Sequence, residues 1–351
     1  MLKVENLSLQ KGNFSIHDLN FELLASKTHV LLGPSGSGKT LLLEAILGMN
    51  QVSGGTISLN ASLLNNVSIE SRSISYVPQD LSLFPHLNVR KNILYPLQFS
   101  KSKLDEDRLS RLCSILDIEN LLTRSIQFLS GGEKQRVAIA RSLMTENEVL
   151  ILDEPFSSLH QELRQELWVQ LKQIQKEFRL CIFMVTHDLN EALFLADQLY
   201  LILDGSLHKF SQSKKGLVYP NSKKALKFLG VRNFFSISKL DSSTDEIEIC
   251  GCEVNLDINI QDSMNFELAV RSDDIEVSVT PYHTKESGFY FQAKIIEMFH
   301  MNHGTLIHVF NDKSSQNVEV FVANSQSRDL KLVKEENYYF YVNSNSLIFL
   351  N

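Results

Sequence analysis

Residues 33–40, GPSGSGKT, place glycines, a lysine and a threonine at the spacing of a phosphate-binding loop. The three glycines permit backbone torsions that other residues resist, so successive N–H groups can point at phosphate oxygens. The apolar run THVLL precedes the loop and LLLEAILG follows it, which predicts that a helix N-terminus also faces the phosphate. We expect Lys39 to reach the β- and γ-phosphates and Thr40 to ligate Mg²⁺. The plain alternative is a Gly/Ser turn before a buried helix, and the order of strand, loop and helix argues against it.

Two carboxylates follow a second apolar run, VLILDEP at residues 149–155. This pattern predicts a buried strand whose end delivers Asp153 to the Mg²⁺ ion and Glu154 to the γ-phosphate. In that place Glu154 can act as a general base that polarises the attacking water. A strand followed by a charged turn would have the same sequence, so the prediction depends on motifs elsewhere in the chain.

Three further stretches support a nucleotide site. The run LSGGEKQRVAIARSL, residues 129–143, places a Ser-Gly-Gly turn before a helix and so predicts a second helix N-terminus that can bind phosphate. YVPQD supplies Gln79 just after a strand, and VTHD supplies His187 at the end of another. One nucleotide needs only one of the two helix ends, so the second requires a separate explanation.

Together, in this order and spacing, the motifs resemble those of the ATPase subunit of ATP-binding cassette (ABC) transporters, over at least residues 1–210. The resemblance implies that residues 129–133 complete the ATP site of an opposite subunit, which explains the second helix end and predicts a head-to-tail homodimer. It implies ATP and Mg²⁺ as ligands. The implied catalytic residues are Lys39, Gln79, Glu154 and His187, and the implied Mg²⁺ ligands are Thr40, Gln79 and Asp153. The implied nucleotide contacts are Phe14, Gly33, Pro34, Ser35, Gly36, Ser37, Gly38, Lys39, Thr40, Leu41, Asp153, Ser130, Gly131 and Gly132.

Two positions leave alternatives open. Phe14, upstream of the phosphate loop, resembles the aromatic residue that stacks on adenine in this family, but an aromatic residue on a β-hairpin can equally be core. His160 stands where the family usually has an aspartate that helps to couple the two ATP sites. Its effect is either that of a tolerated substitution or a pH-sensitive coupling.

Short apolar runs alternate with helical patterns through residues 28–204, which predicts an α/β P-loop fold with a parallel sheet. The alternating opening residues, 2–24, predict a small antiparallel β-subdomain. The segment DLSLFPHLNVRKNI resembles the one that follows the glutamine loop in importers. With the helices up to residue 128, it would form a helical subdomain and a groove for a coupling helix of the permease. Its expected apolar contacts are Phe84, Pro85 and Leu87.

The chain of 351 residues suits an ATPase domain over 1–212, a linker over 213–229 and a second domain over 230–351. Many short alternating strands in the last region predict a β-barrel or OB-like fold. VRSDDIEVS there resembles part of the regulatory domain of importers. This region is acidic, with 9 Lys and Arg against 18 Asp and Glu, so nucleic-acid binding is not expected. No signal peptide or membrane-spanning run is evident, so we expect a peripheral subunit at the cytoplasmic face of the cell membrane.

The solute is the least determined feature. The motif spacing and the compact β-domain look most like molybdate or tungstate importers, whose tail can bind the oxyanion as feedback. The partners then expected are membrane permease subunits and, indirectly, a solute-binding protein. Iron, sulfate, sugar and polyamine import remain alternatives, and His300, His303 and His308 could suggest iron or another metal, although strand and turn surface is the plainer role for them. Outside transport, the alternatives are a soluble ABC ATPase of translation or DNA repair and an anion sensor with a degenerate ATPase site.

Overall fold

The computed structural model describes residues 1–12, 14–99, 104–213, 216–220, 222–239, 246–250, 252–255, 266–281 and 288–350. They form two compact units, Met1–Val218 and Tyr219–Asn351. Each unit buries an apolar core of its own. In chain order the elements of the first unit are β1 (Leu2–Lys11), β2 (Phe14–Leu23), β3 (Thr28–Leu32), α1 (Lys39–Leu47), β4 (Gly54–Leu59), β5 (Ser62–Leu63), β6 (Ile74–Val77), α2 (Val89–Leu94), α3 (Glu106–Ile115), α4 (Gly131–Ser142), β7 (Val149–Asp153), α5 (Gln161–Phe178), β8 (Cys181–Thr186), α6 (Leu189–Leu195), β9 (Gln198–Leu203), β10 (Ser206–Ser213) and β11 (Gly216–Val218).

A seven-stranded sheet forms the centre of the first unit, in the order β11-β10-β9-β3-β8-β7-β6. The strands from β9 to β6 are parallel, as predicted, while β10 and β11 add antiparallel pairs at one edge. Every residue of β3, β7 and β8 is buried, as expected for parallel strands covered on both faces. Parallel strands end at one edge of a sheet, so the loops after β3, β6, β7 and β8 lie side by side.

The remaining parts of the first unit are the two predicted subdomains. Strands β2, β1, β4 and β5 form an antiparallel sheet in that order, so the antiparallel subdomain recruits residues 54–63 as well as the opening hairpin. Helices α2, α3 and α4 make up the helical part, and α2 packs on α4. The α/β fold and the helical subdomain are therefore confirmed.

The second unit is rich in β-structure, as predicted. Its elements are α7 (Lys223–Phe228), β12 (Asn233–Lys239), β13 (Glu246–Ile249), β14 (Cys252–Asn255), β15 (Phe266–Val270), β16 (Ile275–Ser278), β17 (Gly288–His300), β18 (Gly304–Asn311), β19 (Gln316–Ala323), α8 (Asn324–Leu330), β20 (Asn337–Asn343) and β21 (Ile348–Leu350). The strands form two five-stranded antiparallel sheets, in the orders β14-β13-β12-β15-β21 and β16-β20-β17-β18-β19. The helix α8 is an element that the strand pattern does not predict.

Candidate functional site

The phosphate loop connects the buried strand β3 to α1, in the predicted order. Gly38, at the N-cap of α1, has φ +98°, a left-handed conformation that side chains rarely adopt. At Gly33, an added Cβ would lie 2.7 Å from both the Ile202 carbonyl oxygen and the Ser37 Oγ. The chain therefore requires glycine at both ends of this turn.

Lys39 is buried at the base of the loop. Its Nζ donates to the carbonyls of Gly33 and Pro34, both at 2.9 Å, and lies 3.9 Å from Glu154 Oε1. Burial lowers the pKa of this lysine, while the charges of Glu154 and Asp153 oppose the shift. The ammonium is thus held where the loop and the end of β7 meet.

Asp153 and Glu154 stand at the end of β7 in different surroundings. Asp153 is buried, and burial together with the charge of Glu154 raises its pKa to about 6. The Tyr76 hydroxyl, on the neighbouring β6, hydrogen-bonds to Asp153 and opposes that shift. Glu154 has φ +44°, and its N–H donates to the Val185 carbonyl of β8 at 3.0 Å. This pins the residue to the sheet and turns the chain out of it.

His187 reaches the same carboxylate from the loop after β8. Its Nδ1 lies 3.3 Å from Glu154 Oε2, and its side chain is 53% exposed. Gln79, after β6, is exposed and lines a cleft together with Asp153. The structure therefore brings Lys39, Asp153, Glu154 and His187 together, with Gln79 at the rim.

The loop has the properties of a site for nucleotide phosphates and a divalent cation. Ser37 Oγ is buried and has no hydrogen-bond partner among the described residues. No described residue lies within 4 Å of the Cβ position of Gly36, and Ser35 and Thr40 are exposed. The buried Asp153 carboxylate supplies the oxygen ligand that Mg²⁺ prefers. The donors and acceptors present thus fit ATP and Mg²⁺.

Phe14 lies against the phosphate loop. Its ring is partly buried and packs on the core, and a Cβ added at Gly38 would lie 2.6 Å from Phe14 Cε1. The ring therefore already has a structural role in supporting the loop, and adenine stacking stays a prediction.

The Ser-Gly-Gly turn forms the start of α4. Ser130 caps α4 through a capping box, in which the Ser130 N–H donates to Glu133 Oε2 at 2.7 Å and the Glu133 N–H donates to Ser130 Oγ at 3.3 Å. Among the described residues, a Cβ added at Gly131 or Gly132 would meet only leucine side chains, at 3.6 Å. This is ordinary van der Waals contact, so the fold of one chain does not require glycine at either position.

A cleft of about 1410 Å³ lies beside the Gln79 loop. Phe84 and Tyr95 line it with ring centroids 4.1 Å apart, and Phe99 lines it with 77% of its surface exposed. Pro85 and Leu87, which were expected to contribute apolar contacts, are not among the lining residues. Its aromatic lining comes from Phe84, before α2, and from the turn after α2, which supplies Tyr95 and Phe99.

His160 and His308 lie outside the group formed by Lys39, Asp153, Glu154 and His187. His160 is exposed at the N-cap of α5 and makes no side-chain capping hydrogen bond. His308 lies between two carboxylates, 3.7 Å from Glu297 and 3.6 Å from Glu319. Within the described ranges, no cluster of three or more His, Cys, Asp or Glu residues could hold a metal ion.

Sequence reasoning missed two residues of this region. Tyr76 lies in a short strand whose sequence gives no sign of a functional role. It contacts Asp153 because β6 and β7 are neighbours in the sheet. Arg164 has three hydrogen bonds to the loops after β7 and β8. Nothing in the surrounding QELRQEL distinguishes it from a solvated helix residue.

Comparison with known proteins agrees with this geometry. A family model described as ABC transporter matches residues 16–157. The molybdate/tungstate import ATP-binding protein WtpC of Pyrococcus abyssi is 33% identical over 341 residues, which are 97% of this chain and 97% of that protein. The chain belongs to the ABC transporter family. This ABC ATPase hydrolyses ATP and is of the import type, and within the part that the structure describes no helix has the length and apolarity to cross a membrane.

Two further matches are a sulfate import protein and a solved dimeric cassette. The sulfate/thiosulfate import ATP-binding protein CysA of Bacillus cereus is 29% identical over 340 residues, 94% of this chain and 93% of that protein. The solved dimeric structure of MJ0796, a bacterial ABC transporter cassette, is 25% identical with a TM-score of 0.52, and covers 60% of this chain and 98% of its own. The same cassette has been solved in a post-hydrolysis state bound to ADP and Pi, with the same identity and TM-score.

Proposed function

We propose that this ABC ATPase uses MgATP hydrolysis to drive uptake of a tetrahedral oxyanion, molybdate or tungstate, through separate membrane subunits. The choice of solute rests on the full-length match. Four relatives share the molybdate/tungstate name, and one of them aligns over 97% of this chain. Sulfate is the second candidate, since the sulfate/thiosulfate relative also extends through the second unit.

The loop at residues 33–41 would hold the ATP phosphates, and Phe14 would contact the adenine. Lys39 would exchange its two carbonyl contacts for phosphate oxygens, while the free Ser37 hydroxyl would gain a partner. Thr40, Gln79 and Asp153 would hold Mg²⁺, which when bound neutralises phosphate charge.

Glu154 is the proposed general base. Its backbone N–H is bonded to β8, and its carboxylate contacts both Lys39 and His187, between the phosphate loop and the loop after β8. From there it can accept a hydrogen bond from the attacking water, while His187 orients the carboxylate and the γ-phosphate.

The active unit is proposed to be a head-to-tail homodimer. The N-terminus of α4 carries glycines that its own fold does not require, and backbone N–H groups at such a helix end bind anions. We infer that Ser130, Gly131 and Gly132 contact the partner's nucleotide. The dimeric cassette structures support this arrangement.

The aromatic-lined cleft beside Gln79 is the proposed contact for the permease. Its position next to Asp153 would connect permease movement to the nucleotide site, and the subunit would lie peripherally at the cytoplasmic face, supplied with solute by a solute-binding protein. A regulatory oxyanion on the second unit stays a proposal. Lys223, Arg271 and Lys294 are each paired with a carboxylate, so an anion would have to rely on other cations or on backbone N–H groups.

Uptake by cells tests the function and the solute together. Deletion of the gene is expected to abolish accumulation of labelled molybdate and tungstate and to leave sulfate uptake unchanged. The wild-type gene and Glu148→Gln, just before the start of β7, should restore uptake, whereas Glu154→Gln should not. Purified Glu154→Gln should also lose MgATP turnover by at least about 100-fold. Loss of sulfate uptake alone would favour the second candidate, and wild-type turnover by Glu154→Gln would refute the assigned base.

A further inference from the structure

Arg164, in the first turn of α5, contacts two loops that carry different parts of the site. Its Nε donates to the Leu159 carbonyl at 2.8 Å, and an Nη donates to the Ser157 carbonyl at 3.4 Å. The other Nη donates to the Asp188 carboxylate at 3.2 Å. Asp188 directly follows His187, so one guanidinium joins the loop after β7 to the loop after β8.

The same guanidinium is a counter-charge for a buried polar network. Glu191 is only 2% exposed, and its Oε1 lies 3.9 Å from Arg164 Nη1. The Thr186 hydroxyl donates to Glu191 at 2.6 Å, and the Asp188 N–H donates to the Thr186 oxygen at 3.0 Å. Removing the guanidinium would leave these carboxylates without that charge and would loosen the loop between β8 and α6.

The segment that carries Arg164 also packs against the Ser-Gly-Gly turn. A Cβ added at Gly131 would lie 3.6 Å from the Leu159 side chain, and one at Gly132 would lie 3.6 Å from Leu163. Residues 159–164 therefore contact the turn proposed to bind the partner's nucleotide on one side. The same residues also contact the loop after β8, through the hydrogen bond from Arg164 to Asp188.

We propose that Arg164 is a positioning residue that transmits closure over the partner's nucleotide to His187, and so to Glu154 of its own site. The inference rests on the proposed dimer. His187 Nδ1 lies 3.3 Å from Glu154 Oε2, so a small shift of its loop changes the contact of the general base. Arginine suits this role because its planar fork can bond carbonyls and a carboxylate at once, which a lysine cannot.

Steady-state MgATP turnover by the full chain tests the proposal. Arg164→Gln is expected to lower kcat by about 10-fold or more, to change KM less than about threefold, and to bring the Hill coefficient for ATP to about 1. Arg164→Lys should fall between this variant and the wild type. Arg108→Gln is the matched control, since Arg108 donates to the Leu143 carbonyl at 2.8 Å and lies over the Phe178 ring, away from the site. It should lower thermal stability without lowering kcat.

A double-mutant cycle separates positioning from general stability. In a His187→Ala background, Arg164→Gln should change single-turnover hydrolysis by less than about twofold, because the group that it positions is gone. The same loss of rate in both backgrounds, or unchanged kcat and Hill coefficient in Arg164→Gln, would overturn the proposal. If Arg164→Gln does not fold, Arg164→Lys is measured in the same cycle. Failure of the proposed function is distinct, because it would show as wild-type turnover in Glu154→Gln or as a monomer in MgATP.

Discussion

At the scale of single residues, the site depends on charges that burial and proximity change. Lys39 and Asp153 are both buried, and each is shifted toward its neutral form by loss of water. The charge of Glu154 acts on both groups: it opposes the lowering of the Lys39 pKa and adds to the raising of the Asp153 pKa. A divalent cation bound at Asp153 would lower the pKa of this carboxyl again, because the cation replaces the proton as its positive partner.

The raised pKa of Asp153 makes cation binding sensitive to acid. With a pKa of about 6, the ionised fraction of Asp153 falls roughly tenfold between pH 7 and pH 5, so apparent Mn²⁺ affinity in the presence of ATP should fall by about that factor beyond the titration of ATP itself. Electron paramagnetic resonance titration of Mn²⁺ measures it. Glu154→Gln removes the neighbouring charge and should move the midpoint to lower pH. Superimposable pH profiles for the two proteins would contradict the assignment.

At the scale of elements, the N-termini of α1, α4 and α5 are capped in different ways. Gly38 starts α1 without a side-chain cap, which leaves its N–H groups open toward the phosphate loop. Ser130 starts α4 with a complete capping box. His160 starts α5 with extended backbone but no capping hydrogen bond. Arg164 ties this start of α5 to the preceding turn, since its side chain donates to the Leu159 carbonyl, but as a donor it cannot replace an N-cap.

His160→Asp is expected to stabilise the first unit by about 1 kcal/mol, because an aspartate at an N-cap accepts hydrogen bonds from the first turn and favours the helix dipole. Thermal unfolding followed by circular dichroism should show a rise of roughly 2–4 °C. His160→Asn supplies the cap without the charge and should give most of the gain, whereas His160→Ala should give none. Equal midpoints for His160→Asp and His160→Ala would show that the position is not an effective N-cap.

At the scale of the whole molecule, each unit has its own core. In the first unit, a buried histidine makes the stability of the fold depend on pH. His29 on β3 is 1% exposed, and burial lowers its pKa to about 4. Its Nε2 accepts the Leu24 N–H at 2.8 Å, and its Nδ1 has no partner among the described residues. The ring packs against Tyr200, with centroids 6.2 Å apart. The fold therefore requires the neutral imidazole.

Because the unfolded chain binds this proton near pH 6.5 and the folded chain only near pH 4, the stability due to His29 is complete above pH 6.5 and is lost as the pH falls toward 4. The loss is on the order of 3 kcal/mol. His29→Gln, which keeps an acceptor for Leu24, should remove that part of the pH dependence in urea unfolding from pH 7 to pH 4. His17→Gln, at an exposed position, is the control and should not alter it. An unchanged slope in His29→Gln would show that His29 is not the titrating group.

The sequence by itself determined the features that depend on neighbouring residues and on regular spacing. The phosphate loop, the strand that ends in Asp153 and Glu154, and the alternation of strands and helices are local patterns, so their chemistry can be inferred before folding is known. The β-character of the second unit followed in the same way from alternating side chains.

Only the tertiary structure decided which distant groups meet and what water they lose. Glu154 meets His187 because β7 and β8 are parallel neighbours, and Arg164 joins their loops because α5 begins between them. The shifted pKa values of Asp153 and His29 arise from burial, which depends on the packing of many segments. Helix and strand patterns do not contain that information, since a solvated arginine and a bridging one occupy the same position in a helical repeat.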